Sequence, residues 1–201
     1  MATGTLAIVG VIGGKSVNQT ITKTFDHPNN YEGIALAAGK EVTDWVKTDA
    51  DTADCNLPAG HGYSSGKMDV YWSGGMRYDV DGTVVTNALT LDGGTGDDFP
   101  ASATEDIIVC TPTQINTAID GDEIALLVAN CSQRCSLYFE DSGDSAVGQI
   151  EITAANVPFF WHDTSGLTNP LTGNPITVCF ASNGSATAAT LDILSGEDST
   201  P

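Results

Sequence analysis

LPAGHGYSSGKMDVYWSGGMRYDVDGTVVTNALTLDGGTGDDF, residues 57–99, sets short apolar runs between turn signals. Met68-Asp69-Val70-Tyr71-Trp72 alternates apolar and polar residues and then enters aromatics, and Gly74-Gly75 breaks it. Met76-Arg77-Tyr78-Asp79-Val80 alternates again, Asp81-Gly82 reads as a second turn, and Thr83-Val84-Val85 opens a further run. Asn87 precedes Ala88-Leu89-Thr90-Leu91, which closes on Asp92-Gly93-Gly94. A period of two interrupted by Asp-Gly and Gly-Gly is the pattern of antiparallel strands in a meander, and helical spacing does not fit it. Four or five short strands in roughly 40 residues are expected to curl into a small barrel that hides its sheet edges.

Outward from this stretch the chain keeps the same habit. Thr5–Ile12 and Ser16–Phe25 read as a hairpin turning at Gly13-Gly14-Lys15, followed by a loop over Asp26–Asn30 around Pro28. In Tyr31–Val46 the apolar alternation and the closely spaced glycines favour strand, with a short helix over 33–38 as the competitor. Lys47–Asn56 reads as an acidic connector into the meander. Beyond it, strands are expected at Glu105–Cys110, Ile115–Ile119, Glu123–Ala129, Cys135–Glu140, Gln149–Ile152 and Val157–Trp161. Pro175–Phe180 and Ala188–Leu194 are expected to pair across the Asn183-Gly184-Ser185 turn. Short strands about every 8–12 residues define an all-β chain, a β-sandwich of jelly-roll type. The expected division is a sandwich from residues 1–48 and 112–201, with 49–111 inserted as a small β-barrel.

The 201 residues suffice for one large β domain or two small ones, and 41% hydrophobic content is that of a folded chain. Seven Lys+Arg against 26 Asp+Glu give a formal net charge of −19. Such a surface repels phosphate backbones and anionic bilayers, so neither nucleic acid nor membrane is an expected partner. The N-terminal apolar run lacks a basic segment before it and is too short to span a bilayer, so synthesis in a reducing cytoplasm is expected. Cys55, Cys110, Cys131, Cys135 and Cys179 then serve as small packing residues. Cys131-x-x-x-Cys135 lacks the further ligands of a zinc site.

Chemistry is sparse. His27, His61 and His162 are the candidate bases near neutral pH, and His162-Asp163 has no nucleophile elbow to serve. His61, between glycines, is expected to hydrogen-bond a turn. Carboxylates gather at Asp49/Asp51/Asp54, Asp92/Asp97/Asp98, Asp120/Asp122/Glu123 and Glu140/Asp141/Asp144, but none has EF-hand spacing, and they read as solvated turns. No catalytic, cofactor or metal residues are therefore expected. Phe159, Phe160 and Trp161 in one strand must divide between two faces, which makes them the candidate protein-interface residues.

His61-Gly62-Tyr63-Ser64-Ser65-Gly66 followed by Asp69-Val70-Tyr71-Trp72 resembles the opening of small β-barrel modules in tailed-bacteriophage virion proteins, and Gly74–Phe99 resembles their continuation. A second echo is Gly166–Gly173 before the strand that ends at Asn183-Gly184-Ser185. The resemblance implies a non-enzymatic virion protein made in the host cytoplasm. With the charge, it points to a capsid decoration (cement) protein on the outer head surface, a trimer contacting the major capsid protein or other virion proteins. A tail tube, fibre or baseplate component is the alternative, and a carbohydrate-binding β-sandwich stands behind it.

Overall fold

The computed structural model describes residues 2–12, 15–25, 27–93, 99–101, 106–115, 119–120, 124–141, 146–162 and 175–197, and these form strands and turns with no helix. The strands are β1 (Ala2–Ile12), β2 (Lys15–Phe25), β3 (His27–Leu36), β4 (Lys40–Glu41), β5 (Thr43–Lys47), β6 (Thr52–Asn56), β7 (Gly66–Trp72), β8 (Gly75–Val85) and β9 (Ala88–Asp92). They continue as β10 (Ile108–Cys110), β11 (Thr113–Ile115), β12 (Ile119–Asp120), β13 (Ile124–Cys131), β14 (Cys135–Asp141), β15 (Ala146–Ile152), β16 (Phe159–His162), β17 (Pro175–Asn183) and β18 (Ala189–Glu197). The expected turn at 13–14, the glycine-rich close of the meander at 94–98 and the echo at 166–173 lie outside the described residues.

Two sheets make the sandwich. One has the order β16-β13-β18-β3, and the other has β11-β17-β14-β15 with β12 also on β17. Leu127, Ala129, Cys131, Trp161, Leu191 and Ile193 from the first meet Leu137, Phe139, Ile150, Ile152, Cys179 and Ala181 from the second in one core. β17 and β18 do not pair across Asn183-Gly184-Ser185 as expected, because the chain there crosses from one sheet to the other. The turn between β13 and β14 crosses in the same way, and the two arches lie side by side: Gly184 N–H donates to Arg134 O at 2.9 Å and Ser132 N–H to Thr190 O at 3.0 Å. The buried Asn183 ties the second arch, donating to Ala37 O and Thr187 O and accepting from Ser185 N–H. An arch places successive strands on opposite sides of the core, so each keeps its apolar alternation without being its neighbour's partner.

The third sheet is the barrel, with the order β4-β10-β7-β8-β9-β6-β5. Its two edge strands, β4 and β5, are consecutive in the chain and separated by Val42, so the sheet nearly closes on itself. Its interior holds Trp45, Ala53, Cys55, Leu57, Met68, Val70, Val80, Leu89, Leu91, Phe99, Ile107 and Val109. The strands of this sheet therefore run from residue 40 to 110 and include segments that the expected boundary at 49 gave to the sandwich. The supposed connector contributes β6, whose Ala53 and Cys55 alternate inward between exposed or half-exposed polar residues. Entry and exit are adjacent, since β4 pairs with β10 through Ile108 to Glu41 and Val109 to Lys40.

Two local readings also change. Asp81-Gly82 is not a turn: β8 runs through it with Gly82 opposite Gly66 and Leu91, and the glycine admits the Met68 sulfur, which would lie 2.6 Å from a Cβ there. The chain turns instead at Thr86-Asn87, with Thr86 at φ 58°. The expected loop at 27–30 begins β3, an edge strand, where the missing N–H of Pro28 interrupts no ladder on the open side. Ahead of it, β1 and β2 pair along eleven positions each into a sheet of their own, and among the described residues they pair with no other strand.

Candidate functional site

The barrel is seated on the outer face of the five-stranded sheet, and the two sequences that meet there explain why. In β7, Met68 and Val70 enter the barrel while Asp69 and Tyr71 point the other way, and all four are buried. In β14, Cys135, Leu137 and Phe139 enter the sandwich core while Ser136, Tyr138 and Glu140 face outward, and these too are buried. Strands buried on both faces mark a middle layer. The molecule thus stacks a four-stranded sheet, a five-stranded sheet and a barrel.

Tyr71 is the central peg of this joint. Its hydroxyl lies 2.8 Å from Ser136 Oγ, donates to Ser182 O at 3.2 Å and contacts Ser182 Oγ. A Cβ on Gly184 would stand 2.5 Å from the Tyr71 ring, so only glycine permits this approach. Beside it, Tyr78 stacks on Tyr138 at 5.0 Å and Tyr138 on Phe180 at 5.1 Å, so one barrel ring continues a pair from the sheet. Gln149 reaches the Met76 sulfur at 3.0 Å.

Arg134, on the arch between β13 and β14, fastens the edge. It donates to Trp72 O at 2.7 Å and Gly75 O at 3.1 Å, both on the β7–β8 turn of the barrel. Its Nε donates to Glu151 Oε1 at 2.9 Å, and the guanidinium carbon lies 5.2 Å from the Tyr71 ring centre. One cation thus serves two barrel carbonyls, a sandwich carboxylate and an aromatic face.

Asp69 lies at the bottom of the joint, fully buried. The register slips between Met68 and Val70 so that Tyr78 and Asp79 oppose it, a β-bulge with Asp79 at φ 59°. Asp69 Oδ1 accepts the Asp79 N–H at 2.9 Å. Oδ2 has no hydrogen-bond partner among the described residues, the neighbouring Ser182 hydroxyl being engaged by Tyr71 and Ser136. Burial pushes the carboxyl up to about 7, against the pull of the nearby Ser182 hydroxyl and the Asp79 N–H, with the Asp79 and Glu140 charges adding repulsion. Burial likewise raises the Cys110 thiol and the Tyr71 phenol. A cleft of about 260 Å3 lined by Lys67, Asp79, Tyr138, Glu140 and Phe180 opens beside this group.

The aromatic triplet divides by alternation. Trp161 is 4% exposed and Phe159 packs with it against the sandwich core. As an interface candidate Trp161 is therefore taken up by the chain's own core, because β16 lays every second residue inward. Phe160 stands on the opposite face with Ala125, Leu126 and Val128. The same face of the four-stranded sheet carries Leu194, 38% exposed, and a shallow cleft of about 230 Å3 bordered by Glu32, Asn130 and Asp192.

His61 braces a turn: its Nδ1 accepts the Tyr63 N–H at 2.8 Å, which leaves Nε2 as the donor to Thr86 O at 2.9 Å. The side chains of His27 and His162 lie outside the described residues. Asp49 Oδ1 accepts the Asp51 N–H, which holds its carboxyl below the usual range, and Asp54 accepts from Thr90. Among the described residues no three His, Cys, Asp or Glu side chains converge as a metal site. The Arg134–Tyr71–Asp69 joint was not foreseen from sequence. Its one readable trace is Asp69-Val70-Tyr71, where a strand apolar on one face carries a tyrosine on the other.

No protein-family model, no curated protein and no solved structure matches the chain. Fold and site define an all-β protein, a sandwich with a barrel-like module fastened to its side.

Proposed function

We propose that the chain is a non-enzymatic structural protein of a tailed-phage virion, a decoration protein bound to the outer head surface. The observation that carries this reading is the N-terminal arm, in which β1 and β2 pair with each other over their whole length and with no other strand among the described residues. An isolated two-stranded ribbon is marginal in water and gains stability by lying on, or adding strands to, a neighbouring subunit. Leu194, exposed on the outer sheet, offers a second contact point. The net charge of −19 favours a position away from packaged DNA. In this reading the protein assembles as a trimer, grips the major capsid protein, and adds its buried area to the shell's cohesion. Particles with and without the chain, heated in parallel and assayed for released DNA, test the proposal. Particles lacking it should release DNA at lower temperature, and indistinguishable release curves would contradict a cementing role.

A further inference from the structure

We propose that the β1–β2 arm docks on the outer face of the four-stranded sheet of a second copy of this chain. The inference rests on the arm being an intersubunit contact, as proposed above, and it names the subunit and the surface. Residues 1–25 hold Lys15 and Lys23 and no Asp or Glu, so all 26 acidic residues lie beyond the arm. The chain is thus divided into a basic ribbon and a strongly acidic body, which attract each other.

The register of the ribbon divides its residues between two faces, because opposed residues of an antiparallel pair share a face. Leu6 lies opposite Ile21 and Gly10 opposite Val17, with Gly4–Lys23 and Ile12–Lys15 towards the two ends of the same face. Thr3–Thr24, Thr5–Thr22 and Ala7–Thr20 belong to the other face. One face is therefore apolar along its middle and basic near both ends, and the other carries the run of threonines.

The outer face of the four-stranded sheet matches the first of these. Its cleft of about 230 Å3 is lined by Val128 and Leu194 together with Asn130 and two acidic residues, Glu32 and Asp192. Leu194 is 38% exposed there, and Asp192 is held in place by the Gly33 N–H, which its Oδ1 accepts at 2.8 Å. Apolar residues between carboxylates meet apolar residues between lysines. The arm does not turn back along β3 of its own chain, because Asp26 alone separates β2 from β3 and the tightest hairpin needs two residues. A contact of arm to sheet joins unlike surfaces, so it closes either as a mutual exchange between two copies or as a ring.

Sedimentation velocity on the purified full chain, at low and high salt, tests the docking. The parent should associate as its concentration rises, and less so in high salt. Lys15→Glu/Lys23→Glu and, separately, Glu32→Lys/Leu194→Lys should each weaken association about tenfold. Asp192 is left in place in both because it holds Gly33. An equimolar mixture of the two variants should recover association, because each arm then meets the opposite charge on the other's sheet. Circular dichroism melts that match the parent establish that both variants fold, and Lys23→Glu with Glu32→Lys serves as the milder pair if either melts early. A parent that stays monomeric, association that survives either variant, or no recovery on mixing would overturn the docking. A monomeric parent whose absence still makes particles release DNA at lower temperature would strike this inference alone and leave the decoration reading standing.

Discussion

Arg134 and Asp69 hold opposite positions in the joint, one satisfied on every side and the other short of a partner. Replacing Arg134 with Ala strands two barrel carbonyls and Glu151, and the loss is expected to be about 2–4 kcal/mol. Arg134→Lys keeps the charge but cannot reach all the acceptors, so it should fall between the two. Urea denaturation gives the ranking, and an Ala variant as stable as the parent would remove Arg134 from the account. For Asp69 the sign follows from its environment. Its carboxyl is raised to about 7 in the fold and returns to about 4 when unfolded, so its contribution is fully present below pH 4 and is lost as pH rises through 7. The loss is of the order of a few kcal/mol. Asp49, whose carboxyl is held below its usual range by the Asp51 N–H, contributes with the opposite sign and at lower pH. The decisive quantity is therefore the stability difference between the parent and Asp69→Asn, which should grow in the variant's favour between pH 4.5 and 8. A difference independent of pH would contradict a buried, proton-holding Asp69. Neither residue could be singled out from the sequence. Asp69 sits where alternation predicts the solvent side of a strand, and it is buried only because a second layer covers that side.

At the scale of elements, most strands were legible because their alternation is local. Leu89 and Leu91 in β9, and Leu191 and Ile193 in β18, point inward as the period of two requires. Pairing was less legible, because an arch and a hairpin have the same sequence pattern: two strands and a short polar turn. Only the opposite sheet's partners, β13 for β18 and β14 for β17, decide between them. The Ala and Cys of β6 are too small to stand out between Thr, Asp and Asn, so a barrel strand read as a connector. The interface candidates were half legible, since alternation says that the three aromatics divide but not which face the core takes. These elements set the terms for excision. Cutting at 57 and 99 would strip β7, β8 and β9 from the barrel and leave β4, β5, β6 and β10 with exposed apolar faces. Removing 40–110 and joining Gly39 to Thr111 with a short Gly-Ser linker removes the sheet whole, because β4 and β10 lie side by side. The remainder should keep a cooperative β-type circular dichroism melt at a lowered temperature, since Tyr138 and Phe180 lose their cover. An excised chain with no cooperative transition would show that the sandwich does not fold without the barrel.

At the scale of the whole molecule, β1 and β2 pair with no other strand among the described residues, and under the proposed function the net charge of −19 favours the side of a shell away from DNA. Fold class was legible from periodicity and turn residues. Function rests on less, a resemblance in the barrel sequence together with an arm that pairs only with itself among the described residues. If the chain is the virion protein proposed above, the most direct measurement is a three-dimensional reconstruction of intact particles that contain it. The account predicts density matching the sandwich and its barrel on the outer head surface, grouped in threes, with the arm lying on a neighbouring subunit. Density confined to the tail would contradict it.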